Sequence, residues 1–127
     1  MPEIRLPDRT AAVAAAADFV EAEAERAGWS TADVTRAVLA VSEAVGNAVE
    51  HGGGEVRLRC TSAPEAFQID VADCGAGPRP ALLEAAALPD DLLAEGGRGL
   101  YIMKTVADEV RVADGVVTLR FVRAGRA

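Results

Sequence analysis

Apolar positions along the chain change their period several times, and each change predicts a new element. Residues Glu3 to Leu6 alternate polar and apolar, which is typical of a short half-buried strand. The alanine-rich stretch from Asp8 to about Arg26 predicts a helix that Asp8 caps, and Gly28 is a suitable C-terminal stop. The chain is therefore expected to open with a strand and a helix.

A second helix is predicted to run to about His51. Ser30 and Asp33 form a capping box at its start, and the three glycines 52 to 54 end it. Its apolar face is a series of valines at helical spacing: Val34, Val38, Val41, Val45 and Val49. The polar residues between these valines are expected on the opposite face.

The rest of the chain predicts two hairpins with a helical connection between them. In order, the expected elements are strands Glu55 to Thr61 and Ala66 to Ala72, a glycine-rich bend, a short helix Pro80 to Ala87, a helix Leu100 to Ala107, strand Glu109 to Ala113, a turn at Asp114-Gly115, and strand Val116 to Arg123. Tight turns between neighbouring strands favour a mostly antiparallel sheet with helices on one face. The expected fold class is α+β, a two-layer α/β sandwich forming one domain over residues 1–127.

Composition limits the classes of function. Half of the 127 residues are apolar, so the chain can bury a core, and 13 basic against 20 acidic residues give a net charge of −7. An acidic domain is a poor candidate for direct nucleic-acid binding, which depends on neutralising phosphates, and favours a basic protein partner. No apolar run predicts a signal peptide or a membrane span, and Cys60 and Cys74 lack the spacing of a metal site. We expect a soluble cytoplasmic protein.

The polar face of the second helix carries the first candidate chemistry. Glu43, Asn47 and Glu50 are four and three residues apart, so their side chains share one helical face. A carboxylate one turn from a carboxamide offers a proton acceptor beside a neutral oxygen that can ligate Mg²⁺. Alternatively, these residues are only the solvated face of an amphipathic helix.

Two glycine-rich motifs follow. Asp73-x-Gly75-x-Gly77 comes at the end of a strand, where the carboxylate can accept a hydrogen bond from an exocyclic amine and the glycines admit a flat ring. An ordinary turn explains this motif equally well. The segment from Gly96 to Leu100 opens a helix, and its backbone N–H groups, together with Arg98, suit an anion such as phosphate. A plain glycine-hinged loop is the alternative.

In this order, the three motifs resemble the N, G1 and G2 boxes of the GHKL (Bergerat-fold) ATPases. They are most similar to those of the small anti-sigma-factor serine/threonine kinases of the RsbW/SpoIIAB type. The motifs that carry the resemblance are Glu43-x-x-x-Asn47-Ala48-x-x-His51, Asp73-x-Gly75-x-Gly77, Gly96-Gly97-Arg98-Gly99-Leu100-Tyr101-Ile102-Met103 and Asp108-Glu109-Val110. The resemblance extends over nearly the whole chain and implies the Bergerat fold.

The resemblance implies ATP and Mg²⁺ as cofactors and a role for each matched residue. Glu43 would be the general base that accepts the proton of a serine or threonine hydroxyl, and Asn47 would ligate Mg²⁺. Asp73 would bind the adenine amino group. The implied ATP contacts are Asn47, Asp73, Gly75, Gly77, Gly97, Arg98, Gly99, Leu100 and Thr118. Thr118 departs from the superfamily, which often has a Gly-Thr-Thr-like turn where this chain reads Gly115-Val116-Val117-Thr118.

The implied activity is that of an anti-sigma factor and protein kinase. Such a protein sequesters an alternative sigma factor and phosphorylates a STAS-domain anti-anti-sigma protein, and it is expected to be a homodimer. Two alternatives remain at this stage. One is an ATP-binding regulatory module that controls a partner without phosphoryl transfer. The other is the detached catalytic domain of a histidine kinase, which is disfavoured because the only histidine, His51, lies inside the first motif.

Overall fold

A computed structural model of the chain describes residues 2–7, 10–51, 55–73 and 97–123. These residues form two layers, with an antiparallel sheet on one side and helices on the other. The strands are β1 (Glu3–Leu6), β2 (Val56–Ser62), β3 (Ala66–Ala72), β4 (Glu109–Ala113) and β5 (Val116–Val122), and the helices are α1 (Ala12–Arg26), α2 (Thr31–His51) and α3 (Gly97–Val106). The predicted α+β two-layer class is confirmed.

The strands lie in the order β1-β2-β3-β5-β4, and each pairs antiparallel with its neighbours. The β4–β5 hairpin turns at Asp114 and Gly115, which have φ of 53° and 76°. Two successive residues with positive φ are the signature of a type I′ turn, and an Asp-Gly pair adopts it with little strain. The hairpin therefore forms with the predicted turn and the predicted first strand, and its second strand ends at Val122, one residue before the predicted Arg123.

Side chains alternate between two different faces of the sheet. Leu58, Ile69 and Leu119 point toward the helices and are fully buried, which defines the helix face. Their neighbours Arg59 and Asp70 point the other way and are paired across β2 and β3. This second side, the open face, carries polar side chains and has no helix layer among the described residues. Period-two alternation thus determines which strand residues can reach a site between sheet and helices.

Small side chains bring the helices close together. α1 buries one residue per turn, Ala12, Ala16, Val20 and Ala24. α2 buries alanines and valines on the side that packs on α1 and the sheet, among them Val41 and Val45. Within the described ranges, no helix has both the length and the hydropathy needed to cross a bilayer.

Some predicted boundaries are wrong. The N-cap of α1 is Ala11, and it makes no side-chain capping bond. The assignment of Asp8 as the cap is therefore incorrect, and Asp8 itself is outside the described residues. α3 begins at Gly97, three residues before the predicted Leu100. Since glycine has a low helix propensity, its presence suggested a loop where packing in fact sustains a helical turn. The glycine-rich bend and the predicted helix 80–87 lie outside the described residues.

The start of α2 has the predicted cap. The Asp33 amide donates a hydrogen bond to Ser30 Oγ at 3.2 Å. Because this bond satisfies one of the otherwise unpaired amides of the first turn, Ser30→Ala should lower the free energy of unfolding by about 1 kcal/mol. Chemical denaturation monitored by circular dichroism measures it. Ser62→Ala, at an exposed strand end, is the matched control and should change stability by less than about 0.5 kcal/mol. Equal losses in both variants would exclude a capping role.

Candidate functional site

The polar face of α2 is where the sequence predicts it. Glu43 and Asn47 lie one helical turn apart and are both half-buried, whereas Glu50 is exposed. Val45 faces the core on the other side of the helix, and Ala44 is buried between the two sides. A half-buried carboxylate and carboxamide in line along a helix can converge on one ligand, because residues four apart lie about 6 Å from each other along the helix axis.

Asp73 directly follows β3 and continues its pairing with β5. Its backbone N–H donates to the carbonyl oxygen of Gly115 at 3.4 Å. Because side chains alternate along a strand, Asp73 belongs to the same face as Ile69 and Val71, which are buried against the helices. The carboxylate therefore stands at the edge of the helix face, and it is half-buried there.

Chain connectivity places Asp73 at the Asn47 end of α2. α2 ends at His51, and only residues 52–55 separate it from the first residue of β2, Val56. The next residue of β2, Arg57, is the register partner of Ala72. The C-terminal end of α2 and the C-terminal end of β3 therefore lie at the same end of the strands, where β2 begins and β3 stops. We call this end of the sheet the site edge.

The start of α3 comes to the same edge. Arg36, near the beginning of α2, donates to the carbonyl oxygen of Val106 at the end of α3 at 3.1 Å. Because α3 also packs along α2, this contact between the start of α2 and the end of α3 makes the two helices antiparallel. At 1.5 Å per residue, Gly97 lies about 14 Å back along α3 from Val106, and Asn47 lies about 17 Å along α2 from Arg36. The first turn of α3 is thus placed along the part of α2 that carries Glu43 and Asn47, within about one helical turn of Asn47.

Three chemical functions meet at this edge. α3 presents the unpaired N–H groups and positive dipole end of a helix start, which attract an anion. Asn47 carries a neutral oxygen of the kind that ligates Mg²⁺, and Asp73 carries a carboxylate that is able to accept a hydrogen bond. In the described part of the chain, no three His, Cys, Asp or Glu side chains are grouped as a metal site. A Mg²⁺ ion held by one amide oxygen, with phosphate and water completing its shell, fits this donor set.

The remaining predicted residues divide into two groups. The backbones of Gly97, Arg98, Gly99 and Leu100 form the first turn of α3, and only their backbones are described. Gly75 and Gly77 lie outside the described residues, as does Cys74. His51 is the last residue of α2, as predicted, and its side chain is likewise not described.

Thr118 lies on the other side of the sheet. It is the register partner of Asp70, and its hydroxyl donates to Asp70 Oδ1 at 2.9 Å on the open face. A ligand between sheet and helices cannot reach it, so its position gives no support to the predicted ATP contact. The residue that β5 presents on the helix face here is the buried Val117. The sequence contains this signal, because side chains alternate along a strand and Leu119 is apolar. Val117 therefore shares the helix face with Leu119, and Thr118 belongs to the open face.

A cavity of about 210 Å³ lies at the opposite end of β2 and β3, so it is separate from this site. Its lining includes Cys60, whose side chain is only 2% exposed. Burial, followed by the negative charges of Glu23 and Asp70, raises the pKa of the Cys60 thiol to about 12.

The raised pKa of Cys60 predicts an inert thiol. At about pH 8 the reactive thiolate would be on the order of one part in ten thousand. In a Cys74→Ser variant, which leaves Cys60 as the only cysteine, iodoacetamide should not modify the native protein within the time that fully modifies it in denaturant. Intact-mass spectrometry measures both. If iodoacetamide modified Cys60 in the folded protein as fast as in denaturant, the buried position and raised pKa of this thiol would be wrong.

Comparisons with known proteins agree with the fold and with the family that the motifs resemble. Residues 6–123 match the model of the histidine kinase-like ATPase domain family. The serine-protein kinase RsbW of Bacillus licheniformis is 39% identical over 103 residues, which cover 70% of this chain and 62% of that protein. The enzyme of the same name from Bacillus pumilus is 33% identical over 128 residues, covering 87% of this chain and 76% of that protein.

A solved structure shares the fold. The crystal structure of the RsbU and RsbW domains of a Mycobacterium tuberculosis protein superposes with a TM-score of 0.55 at 18% identity, covering 97% of this chain and 32% of that one. At this identity the match supports the fold alone. Among the relatives, this chain spans 62% of the length of the Bacillus licheniformis kinase.

Proposed function

Because the chain belongs to the histidine kinase-like ATPase domain family, and within it to the RsbW type, we propose that it is an ATP- and Mg²⁺-dependent protein serine/threonine kinase. The observation that carries the proposal is the convergence of three elements at one edge of the fold. The C-terminal half of α2, the end of β3 and the start of α3 meet there. Each contributes a different group that a nucleotide needs.

Nucleotide binding is assigned to the residues at this edge. Asp73 accepts a hydrogen bond from the adenine amino group, and Gly75 and Gly77 shape the pocket around the ring. The first turn of α3, which includes Leu100, receives the phosphates through its backbone amides, with Gly97 and Gly99 allowing close approach and Arg98 adding positive charge. Thr118 is left out of this set because it lies on the open face.

Phosphoryl transfer is assigned to the polar face of α2. Glu43 accepts the proton of a substrate serine or threonine hydroxyl as the oxygen forms a bond to the γ-phosphorus and ADP leaves. Asn47 would hold Mg²⁺, which neutralises charge on the phosphates. Catalysis of this kind depends mainly on positioning and charge neutralisation, so one carboxylate and one amide on a rigid helix are sufficient protein groups.

The proposed partners follow from the RsbW relatives. The substrate is a STAS-domain anti-anti-sigma protein, and the sequestered partner is an alternative sigma factor, so the chain acts as an anti-sigma factor in the cytoplasm by partner switching. We assign the homodimer or partner surface to β1 and α1, which lie away from the candidate site at the other side of α2. The net charge of −7 favours a partner with a basic surface.

Retention of a sigma factor tests the anti-sigma role. The tagged chain is mixed with each purified alternative sigma factor of its source organism, with and without ATP and Mg²⁺. We expect one sigma factor to be retained, and retention to be stronger with nucleotide. The Glu43→Gln variant should retain it equally, because sequestration needs no phosphoryl transfer. If no sigma factor is retained under either condition, the anti-sigma role is wrong.

A further inference from the structure

Arg36 joins three elements at the edge of the fold opposite the candidate site. Its guanidinium donates to the carbonyl oxygen of Val106, at the end of α3, and to that of Val122, at the end of β5, both at 3.1 Å. It also donates to Asp33 Oδ1 at 3.2 Å and lies 3.5 Å from Asp108 Oδ2. A single side chain of α2 therefore holds the ends of both α3 and β5.

The surroundings of Arg36 keep it in place. Asp33 is only 2% exposed and is the one buried charged side chain among the described residues. Its carboxylate pairs with the guanidinium, and removing one partner of a buried ion pair is costly. Asp108 accepts a hydrogen bond from the Val122 amide at 2.6 Å, which fixes the segment that follows α3. The guanidinium also stacks over the Phe121 ring at 5.7 Å from its centroid.

The hydrogen bonds of Arg36 fix the position of α3 along its axis, which apolar packing between the two helices does not do. α3 packs on α2, and Met103 of α3 is fully buried in the hydrophobic core. Apolar contact is non-directional, so it tolerates a helix that slides or tilts along its neighbour. A hydrogen bond weakens steeply with distance and angle, so the bond from Arg36 to the Val106 carbonyl sets where α3 stops along its axis. The position of the last turn then sets that of the first.

We propose that Arg36 is a positioning residue that fixes α3 along its axis, so that the first turn of α3 lies beside Asn47. Arg36 touches neither nucleotide nor substrate in this account. It acts through a rigid ten-residue helix, whose far end is the proposed phosphate-binding turn. The effect on ATP affinity rests on the proposed function, whereas the fixing of α3 does not.

Three variants separate positioning from plain stability. Arg36→Ala removes every bond, and Arg36→Lys keeps the charge beside Asp33 but cannot reach both carbonyl oxygens at once. Val20→Ala makes a cavity in the α1 core, away from α3, and serves as the destabilised control. For each, the dissociation constant of Mg·ATP is measured by titration calorimetry, the midpoint of thermal unfolding by circular dichroism, and hydrogen exchange of the α3 amides by mass spectrometry.

We expect Arg36→Ala to weaken Mg·ATP binding about tenfold and Arg36→Lys by a smaller factor, a range typical of indirect coupling between sites. α3 amides should exchange faster in both, even without nucleotide. Val20→Ala should lower the unfolding midpoint while leaving ATP affinity within about twofold. Unchanged α3 exchange in Arg36→Ala, or equal loss of ATP affinity in Val20→Ala, overturns the proposal. If the wild type does not bind ATP, the proposed function fails, and α3 exchange alone decides the role of Arg36.

Discussion

Glu43→Gln should abolish phosphorylation of a protein substrate while leaving ATP binding nearly unchanged. The substitution keeps the size and polarity of the side chain but removes the group that accepts the hydroxyl proton. A positioned general base contributes about 10²- to 10⁴-fold, so kcat should fall by at least about a hundredfold. The dissociation constant of Mg·ATP should stay within about threefold, because the adenine and phosphate contacts are assigned to other residues. Single-turnover transfer from γ-labelled ATP measures the first quantity, and titration calorimetry measures the second.

Glu50 offers a control on the same helix. It lies seven residues beyond Glu43 on the same polar face and is exposed. Glu50→Gln makes the same change in net charge, so it should leave the transfer rate within about twofold if the effect at Glu43 is local. Transfer that survives Glu43→Gln would show that another group accepts the proton. Equal losses in both variants would point to the overall charge of the helix face instead.

Asn47→Ala should remove Mg²⁺-dependent ATP binding. Asn47 is the proposed protein ligand of the metal, and among the described residues no carboxylate cluster can replace it. Because Mg²⁺ requires near-octahedral oxygen coordination, loss of its one protein ligand should weaken Mg·ATP binding on the order of a hundredfold. Calorimetric titrations with excess Mg²⁺ and with a chelator separate the metal-dependent part of the affinity from the rest.

Asn47→Asp provides the matched comparison. It keeps an oxygen at the same place and adds a negative charge that attracts the metal but repels phosphate. We therefore expect measurable Mg·ATP binding, weaker than wild type and stronger than in Asn47→Ala. If Asn47→Ala binds Mg·ATP with wild-type affinity, the metal role of Asn47 is wrong. If the chelator weakens wild-type and Asn47→Ala binding equally, the metal is held elsewhere.

Local patterns in the sequence predict the elements well where a short-range rule is sufficient. The Asp114-Gly115 turn needs two residues that tolerate positive φ, and the sequence supplies them. The strand Ala66–Ala72 alternates so regularly that its bounds are predicted to the residue. The polar face with Glu43 and Asn47 follows directly from helical periodicity.

Errors arise where the outcome depends on distant contacts. Glycines 97 and 99 predict a loop, yet the helix includes both, because α3 packs on α2 and buries residues further along, such as Met103, in the core. The ATP contact of Thr118, which the family resemblance implies, gains no support from its pairing with Asp70 on the open face.

The hydrogen bonds of Arg36 to the ends of α3 and β5 could not be predicted from the sequence. Its carbonyl partners, at Val106 and Val122, are 70 and 86 residues away along the chain. No local pattern marks such contacts, and a carbonyl acceptor leaves no trace in residue type. From the sequence, Arg36 is one more charged residue on an amphipathic helix, and only the antiparallel packing of α2 and α3 shows its connection to the site.

The central claim is that this chain transfers phosphate to a protein hydroxyl. Its most direct test is incubation with γ-labelled ATP, Mg²⁺ and the purified STAS-domain proteins of the source organism, followed by mapping of the label by mass spectrometry. We predict that the wild-type chain transfers label to a single serine or threonine of one STAS protein, and that the Glu43→Gln variant transfers none. ATP that binds with Mg²⁺ but passes no label to any of these proteins would contradict it, and would identify the chain as a nucleotide-binding regulatory module.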